Sequence, residues 1–333
     1  MPVGTNKTEY PKMIPSEGGL HLKNTILWFD SHHQGQLSFL SSALEVKDAL
    51  FPQIITTEET AKLIELYYKK PNALICQYNR PFSIGRLRLE LLPSGHILGG
   101  ASLSVNTIEG PLLYAPHLQP AKIPTVRAMQ LIKAKFLILG AHLPLPQAPL
   151  PNRKREKEKL LEEVSSLVQQ KRWPIIFCPS LGLAQELTHA LSSMLLPVAV
   201  HSAIYKSNKI YEASGVKLGA YSLYVPKRSK QKVTILPSEL ALKSKLSQIS
   251  DRPYFLVNQT PLSEEREGIG REFSGEYLLT LSCSAPELTA IIQQVNPKEL
   301  YFFGHFAKQY ADYFSHLALP IKTLFPNDQP PLF

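Results

Sequence analysis

Apolar runs of strand length alternate with segments of helical length through the second half of the 333-residue chain. Trp173–Cys178 is predicted to be a buried strand, and Leu183–Leu195 is predicted to be the helix that follows it. The same order recurs at Glu276–Leu281 with Ala285–Val295 and at Glu299–Phe303 with Ala307–Leu317. Strands that alternate with helices in this way pair in parallel through crossover connections. The pattern therefore predicts an α/β fold.

Shorter apolar runs separated by turns occupy residues 20–143. Each is about as long as a strand, and many are bounded by Gly, Pro or Asn. The predicted strands are Thr25–Asp30, Leu37–Ser41, Gln53–Thr56, Asn72–Gln77, Leu87–Pro93, Ala101–Val105, Pro111–Ala115 and Phe136–Leu139. Thr57–Lys69 instead has helical spacing of its apolar residues, and Glu58 and Glu59 suit a helix N-terminus. Strands with interspersed helices again indicate layers of an α/β protein.

Four further segments bear on domain organisation. Residues 1–19 are polar and rich in Pro, Gly and Lys, so we expect a disordered tail. Pro144–Pro151 contains Pro at four positions, which fits a domain boundary. Arg153–Gln170 is predicted to be a charged helix with one apolar stripe. Residues 206–232 are rich in Lys, Tyr and Ser and show no clear long helix.

The composition is basic, with a formal net charge of +9 and a pI of about 9.3. This balance favours polyanions, phosphate backbones above all, although an ordinary soluble basic surface is the alternative. No apolar run approaches the ~20 residues that span a bilayer, and the N-terminus lacks the apolar core of a signal peptide. We therefore expect a cytoplasmic protein without membrane contact. Cys76, Cys178 and Cys283 form no CxxC pair, so a disulfide framework or thiolate zinc site is not expected.

Three segments carry motifs of a known family. Residues 93–102 read PSGHILGGAS, residues 175–187 read IIFCPSLGLAQEL, and residues 285–305 give a helix, a strand and a turn. The first resembles the AGHxLGSA turn of the β-CASP nucleases in the metallo-β-lactamase superfamily. The second resembles the strand, turn and helix that open their inserted β-CASP domain, and the third resembles their closing strand and turn. Length and order most resemble the short bacterial branch, the ligase- and helicase-associated DNA exonucleases and proteins like mRNA 3′-end processing exonucleases.

This resemblance covers roughly residues 20–320 and implies a fold. The expected fold is an αβ/βα metallo-β-lactamase sandwich with an inserted small β-CASP-type α/β domain. Residues 20–145 and 263–333 would make the core, and residues 146–262 would make the insert. In the family, two zinc ions polarise a phosphodiester and generate a hydroxide nucleophile, so several His and Asp ligands converge from loops at strand ends.

The first ligand positions of the family are largely lost here. Asp30 matches the early strand aspartate. The HxHxDH motif that follows in the family falls on residues 37–47, and its ligand positions become Ser42, Leu44, Val46 and Lys47. Leu and Val cannot bind zinc, and a protonated Lys repels it. In an alternative register, residues 28–33 are the degraded motif and keep His33, with Asp30 as a substitute ligand, but neither register restores the full motif.

The later ligand positions are also altered. His96 matches the histidine of the AGHxLGSA turn, whereas His117 replaces the bridging aspartate and, as a neutral imidazole, cannot supply a bridging anion. Gly140 replaces an acidic residue, Ser282 replaces a histidine, and His305 is displaced by one position from the last family histidine.

We therefore expect Asp30, His96 and His117 to form a vestigial pocket, with no catalytic residue and no bound metal or other cofactor. His142 and His305 could also lie near this pocket. The resemblance then predicts a catalytically degenerate nuclease homologue that binds nucleic acid or acts as a scaffold in DNA or RNA processing. The alternative is an active metal-dependent exonuclease or another hydrolase, with zinc at an unorthodox mononuclear site built from His96, His117 and a third partner.

Residues 205–211 interleave aromatic residues with lysines, as single-strand binding surfaces do. With a later basic stretch they form the candidate nucleic-acid surface, although ordinary solvated charge is the alternative. The candidate residues are Tyr205, Lys206, Lys209, Tyr211, Lys227 and Arg228. The expected partners are single-stranded nucleic acid, bound weakly, and a DNA ligase, a helicase or an active nuclease.

Overall fold

The computed structural model describes residues 13–16, 19–31, 37–46, 53–143, 150–241, 252–259 and 273–324. Strands and helices alternate over much of this part of the chain, which confirms the predicted α/β class. The described strands form three sheets, of which two face each other and the third is separate.

The first sheet contains six strands in chain order. They are β1 (Met13–Ser16), β2 (Gly19–Leu22), β3 (Leu27–Phe29), β4 (Leu37–Phe39), β5 (Ile54–Thr56) and β6 (Ala73–Ile75). The first three strands pair antiparallel, and β3 to β6 pair in parallel. Helix α1 (Glu58–Tyr67) follows β5. It begins where the Thr57 hydroxyl accepts from the backbone N–H of Thr60, and its Ile64 packs against Ile54 on this sheet.

The second sheet contains seven strands in the order β19-β18-β11-β10-β9-β8-β7. They are β7 (Phe82–Ile84), β8 (Leu87–Pro93), β9 (Ala101–Thr107), β10 (Gly110–Ala115), β11 (Phe136–Gly140), β18 (Glu299–Phe303) and β19 (Ile321–Leu324). Helices α6 (Ala285–Val295) and α7 (Ala307–Phe314) cover its outer face. Alternate residues point to opposite faces, so Leu113 and Leu137 meet these helices while Leu112 and Ile138 meet the first sheet. The order of layers is therefore helix, sheet, sheet, helix.

The third sheet contains six parallel strands in the order β14-β13-β15-β12-β16-β17. They are β12 (Ile175–Cys178), β13 (Val198–Val200), β14 (Tyr221–Leu223), β15 (Val233–Pro237), β16 (Tyr254–Asn258) and β17 (Gly275–Leu278). Its helices are α2 (Arg153–Gln169), α3 (Leu183–Ser193), α4 (Ser202–Ala213) and the short α5 (Ser238–Ala241). The whole unit lies in the chain between β11 and β18, so it interrupts the second sheet as an insertion.

Three details differ from the sequence predictions. β1 lies inside the expected tail and pairs with β2, because the edge of a sheet tolerates Pro15. β17 follows the expected boundary at residue 262, yet it pairs with β16 and so extends the third sheet. Residues 202–213 form α4, and Ile204 and Tyr211 lie on its buried face. The polar residues around these two positions hide the helical pattern in the sequence. Residues 1–12 and 144–149 lie outside the described part of the chain.

Within the described residues, no helix is both long enough and apolar enough to cross a membrane.

Candidate functional site

A cavity of about 300 Å³ opens where strands of the second sheet end. β10 ends at Ala115 and β11 ends at Gly140, and because these strands are parallel neighbours their following loops leave the same edge of the sheet. Such an edge is where α/β proteins place ligand sites. Six positions singled out in the sequence line this one cavity: Leu44, His96, His117, Gly140, His142 and Ser282.

His96 is held in a tight turn between β8 and β9. Gly95 has a φ of +76°, and a Cβ at that position would lie 2.2 Å from the carbonyl oxygen of Gln119. Gly99 has a φ of +78°, and a Cβ there would lie 2.5 Å from the backbone nitrogen of Thr60. Both positions require glycine, so the conformation of the turn is sufficient to explain much of the motif.

The imidazole of His96 is 8% exposed, and its Nδ1 is buried without a hydrogen-bond partner among the described residues. Burial, assisted by the nearby His117, lowers the pKa of His96 to about 3. The ring is therefore neutral at physiological pH and carries one protonated and one unprotonated nitrogen.

His117 forms an ion pair with a residue that the sequence did not single out. Its Nε2 lies 2.7 Å from Oε1 of Glu45, which ends a short 3-10 helix at Ala43–Glu45. Burial alone would lower the pKa of His117, but the Glu45 carboxylate outweighs that effect and raises it. Because an imidazole carries no negative charge in either protonation state, His117 cannot replace the negative charge of a bridging aspartate.

Three imidazoles lie in a row at the cavity. The ring centroids of His96 and His117 are 5.1 Å apart, and those of His117 and His142 are 5.4 Å apart. Both pairs are stacked, with interplanar angles of 25° and 28°. His142 is exposed at the mouth of the cavity.

Asp30 lies beside this row but is not among the residues that line the cavity. Its Oδ1 accepts from the backbone N–H of Ser41 at 2.7 Å, and its Oδ2 accepts from the hydroxyls of Ser41 and Tyr114, each at 2.8 Å. Burial and then the charge of Glu45 raise the pKa of Asp30 to about 6. Both oxygens of the carboxylate thus accept hydrogen bonds from the protein itself. The backbone of Asp30 is in the left-handed region, with a φ of 45°.

The other predicted ligand positions have structural roles. The Ser42 side chain caps the 3-10 helix by accepting from the backbone N–H of Leu44. Val46 packs in a core with Leu40 and Ile54. Lys47 and His33, on which the choice of register depends, lie outside the described residues.

Gly140 and His305 complete the set. A Cβ at position 140 would lie 2.5 Å from the carbonyl oxygen of Pro116 and 2.9 Å from Nε2 of His142. The backbone and His142 therefore fill the space that a side chain at this position needs. His305 is exposed, packs against Phe306 and does not line the cavity. Of the two additional histidines, only His142 reaches this site.

The donor set does not fit a two-zinc centre. In the described ranges, no three or more His, Cys, Asp and Glu residues are grouped so that they could hold a metal ion. Zinc ligands must direct their donor atoms at one point about 2.0–2.2 Å away, whereas these imidazoles lie face to face. Leu44 and Gly140 provide no ligand atom from their side chains.

The candidate nucleic-acid residues separate into two groups. Tyr205, Lys206 and Lys209 lie on α4, and Lys206 and Lys209 are exposed. Nζ of Lys209 lies 5.1 Å from the ring centroid of Tyr205, so this lysine already covers that aromatic ring. Lys227 and Arg228 are exposed after β14.

The prediction that Tyr211 could stack on a base is wrong. Tyr211 is fully buried, and its hydroxyl accepts from the backbone N–H of Leu98 at 3.3 Å. It packs with Leu63, Ile97 and Leu281 in the apolar joint between the inserted unit and the two facing sheets.

A buried ion pair joins α2 and α3 within the inserted unit. Nη1 of Arg153 donates to Oε1 of Glu186 at 2.9 Å, and Nε of Arg153 donates to the carbonyl oxygen of Thr280 at 2.9 Å. Glu186 is 1% exposed, and Lys157 also donates to it. Although burial would raise the pKa of Glu186, its two cationic partners lower it. The residues that the sequence missed here, Glu45 and Glu186, have partners far away in the chain, so no local spacing marks them.

No family model matches the chain. Over 300 residues, 88% of this chain, it is 22% identical to a probable DNA ligase of Opitutus terrae. Over 157 residues, 42% of this chain, it is 26% identical to an uncharacterized protein of Synechocystis sp.. The matched regions span 29% and 28% of those two proteins, respectively. The likeness to the protein named as a ligase is a distant homology.

Proposed function

We propose that this protein is a catalytically degenerate relative of the β-CASP metallo-β-lactamase nucleases that binds single-stranded nucleic acid, or scaffolds an active partner, in DNA or RNA processing. The observation that carries the proposal is the cavity at the strand ends. It is lined by Leu44, Gly140 and Ser282, which the resemblance aligns with family ligands. Its architecture agrees with this assignment, because two facing sheets with helices outside are interrupted by a parallel α/β unit. Function is nevertheless a property of the site and not of the fold.

The backbone around the cavity supports the proposed loss of the metal centre. An acidic ligand at position 140 would need the space that the carbonyl oxygen of Pro116 occupies. The carboxylate of Asp30 is engaged by Ser41 and Tyr114, and that of Glu45 is engaged by His117. Because both carboxylates already have partners within the protein, we expect the pocket to be stable without divalent cations.

Association with DNA is supported by two independent features. The chain is distantly homologous to a protein named a probable DNA ligase. Its formal charge of +9 favours phosphate contacts, which release counterions and give salt-dependent affinity. A DNA ligase, a helicase or an active nuclease is accordingly the class of protein partner that we propose.

Retention of labelled single strands tests this function directly. At about 50 mM salt we expect weak binding to DNA or RNA, with little sequence preference and a steep fall as salt rises. The same titration on a duplex of the same sequence measures the preference for single strands. If no strand is retained at the low salt concentration, nucleic-acid binding is wrong, and a scaffold that contacts only protein becomes the proposed function.

The row of His96, His117 and His142 favours one alternative, an active hydrolase with a mononuclear zinc site. This alternative requires the stacked rings to rotate so that their nitrogens converge on one ion. It predicts stoichiometric zinc and hydrolysis of phosphodiesters that His96→Ala abolishes, whereas the degenerate protein has neither.

A further inference from the structure

The cavity beside the imidazole row is built differently from a phosphate site. Of its described lining residues, none is Lys or Arg, and the charge of His117 is balanced by Glu45 at 2.7 Å. A phosphate would therefore lose its hydration without gaining a net cation, which is unfavourable.

The lining of the cavity instead suits a small, mostly apolar molecule with one polar edge. Six leucines contribute to the lining, together with Tyr310, and the polar groups are few. The leucines are Leu44, Leu118, Leu139, Leu143, Leu281 and Leu288. His96, Ser282 and Gln259 supply both hydrogen-bond donors and acceptors. This combination, with a volume of about 300 Å³, is typical of a site for one small ring system.

We infer that this cavity binds the uncharged heteroaromatic ring of a nucleobase, presented at the end of a single strand. The inference rests on the proposed function, because the strand brings the base to the cavity. Pockets that receive unstacked bases combine apolar side chains with groups that hydrogen-bond to the polar edge of the base. The exposed His142 and the 41% exposed Leu44 lie at its mouth, so a base can enter without unfolding the turn that holds His96.

Shielding of a fluorescent base from a quencher in solution measures directly whether a base enters the cavity. Oligonucleotides of about ten nucleotides, a length within the site sizes of single-strand proteins, carry 2-aminopurine at the 5′ end, the centre or the 3′ end. We expect the full-length protein to shield one terminal 2-aminopurine from acrylamide quenching and to leave the central one accessible. Removing that terminal base, with its sugar and phosphate kept, should weaken binding roughly tenfold, since only the base enters the cavity.

Two matched variants separate the cavity from the rest of the surface. Leu44→Trp fills the mouth of the cavity from a residue that is 41% exposed, and it should abolish the protection. Leu223→Trp adds the same side chain at a 45% exposed position on β14, in the third sheet, and it should leave the protection intact. Thermal unfolding of both variants reports whether each one folds.

The remaining experiments test free adenosine, free cytidine and inorganic phosphate as ligands and competitors. Binding of nucleosides that Leu44→Trp abolishes, without competition by phosphate, supports the inference even if no strand is retained. Strand binding with equal quenching at all three positions overturns the inference and leaves the proposed function standing. Competition by inorganic phosphate as strong as that by nucleosides also overturns it, because the cavity would then be an anion site. Failure to bind either strands or nucleosides overturns the inference and also the nucleic-acid binding in the proposed function, which leaves the scaffold.

Discussion

Oε1 of Glu45 lies 2.7 Å from Nε2 of His117, although 72 positions separate the two residues in the chain. His117 stands where the resemblance places a bridging aspartate, so the negative charge at this site comes instead from a residue on a neighbouring turn. That charge is neutralised by the imidazole itself. The pair therefore links two side chains of the protein at the position where the resemblance to the β-CASP nucleases places their cations.

The variant Glu45→Gln should lower two pKa values at once. His117 would keep the burial that lowers its pKa and lose the carboxylate that raises it. Asp30, whose pKa of about 6 is raised by burial and then by Glu45, should become more acidic. NMR titration of the histidine ring and of the aspartate carboxyl carbon measures both shifts. Glu58→Gln, which removes an exposed helix charge, is the control, and unchanged values in Glu45→Gln would contradict the pairing.

The pH dependence of stability should report Asp30. Its folded pKa of about 6 exceeds the ordinary value of 3.8, so the folded state holds the proton more tightly than the unfolded state. The resulting stability is fully present below the unfolded pKa and is lost as pH rises through about 6. Relative to Asp30→Asn, which cannot titrate, the wild type should therefore lose stability between these values. Urea unfolding across the range checks this, and a difference that is constant with pH would refute it.

The stability of the inserted unit should depend on Arg153. Arg153→Ala leaves the carboxylate of Glu186 buried with only Lys157 as a cationic partner. We expect a loss of about 3 kcal/mol in the free energy of unfolding, since breaking a buried ion pair strands a charge. Lys154→Ala, on the same helix but 83% exposed, should have almost no effect. Equal losses in the two variants would show that the buried ion pair does not stabilise the inserted unit.

Phosphate contacts should be lost with the lysines of α4. Replacing both Lys206 and Lys209 by Ala should weaken single-strand binding and reduce the salt slope by up to about two contacts. We expect Lys209 to contribute less than Lys206 to this loss of affinity, because the ammonium group of Lys209 already donates a hydrogen bond to Glu212. The control variant replaces Lys308 on α7 and Lys322 on β19 by Ala. It removes the same amount of positive charge and should leave the salt slope unchanged. A slope that falls equally in both double variants would indicate general charge and not a surface on α4.

Local sequence signals predicted several elements with correct ends. Ala285–Val295 and Glu299–Phe303 were predicted at both boundaries. The helix is marked by Glu287, which bonds back to Ser284 at its start, and by Asn296, which adopts the left-handed conformation at its end. Such signals act within a few residues and are readable from the chain.

Tertiary partners explain what the sequence did not show. Tyr211 was predicted to be exposed because lysines surround it, but its ring lies on the face of α4 that meets Leu98 from another unit. Glu45 was overlooked because its partner comes from the loop after β10. The position of the cavity could be predicted from the resemblance, since Leu44, Gly140 and Ser282 do line it. Its internal ion pair and its stacked imidazoles depend on side-chain packing that no motif specifies.

The most direct test is the metal content and phosphodiesterase activity of one preparation, purified without chelator and then supplied with zinc. The account predicts that inductively coupled plasma mass spectrometry finds less than one zinc per chain. It also predicts that a fluorogenic phosphodiester and labelled single strands are hydrolysed no faster with wild type than with His96→Ala. Two tightly bound metal ions per chain, with hydrolysis that His96→Ala abolishes, would contradict the account and identify an active nuclease.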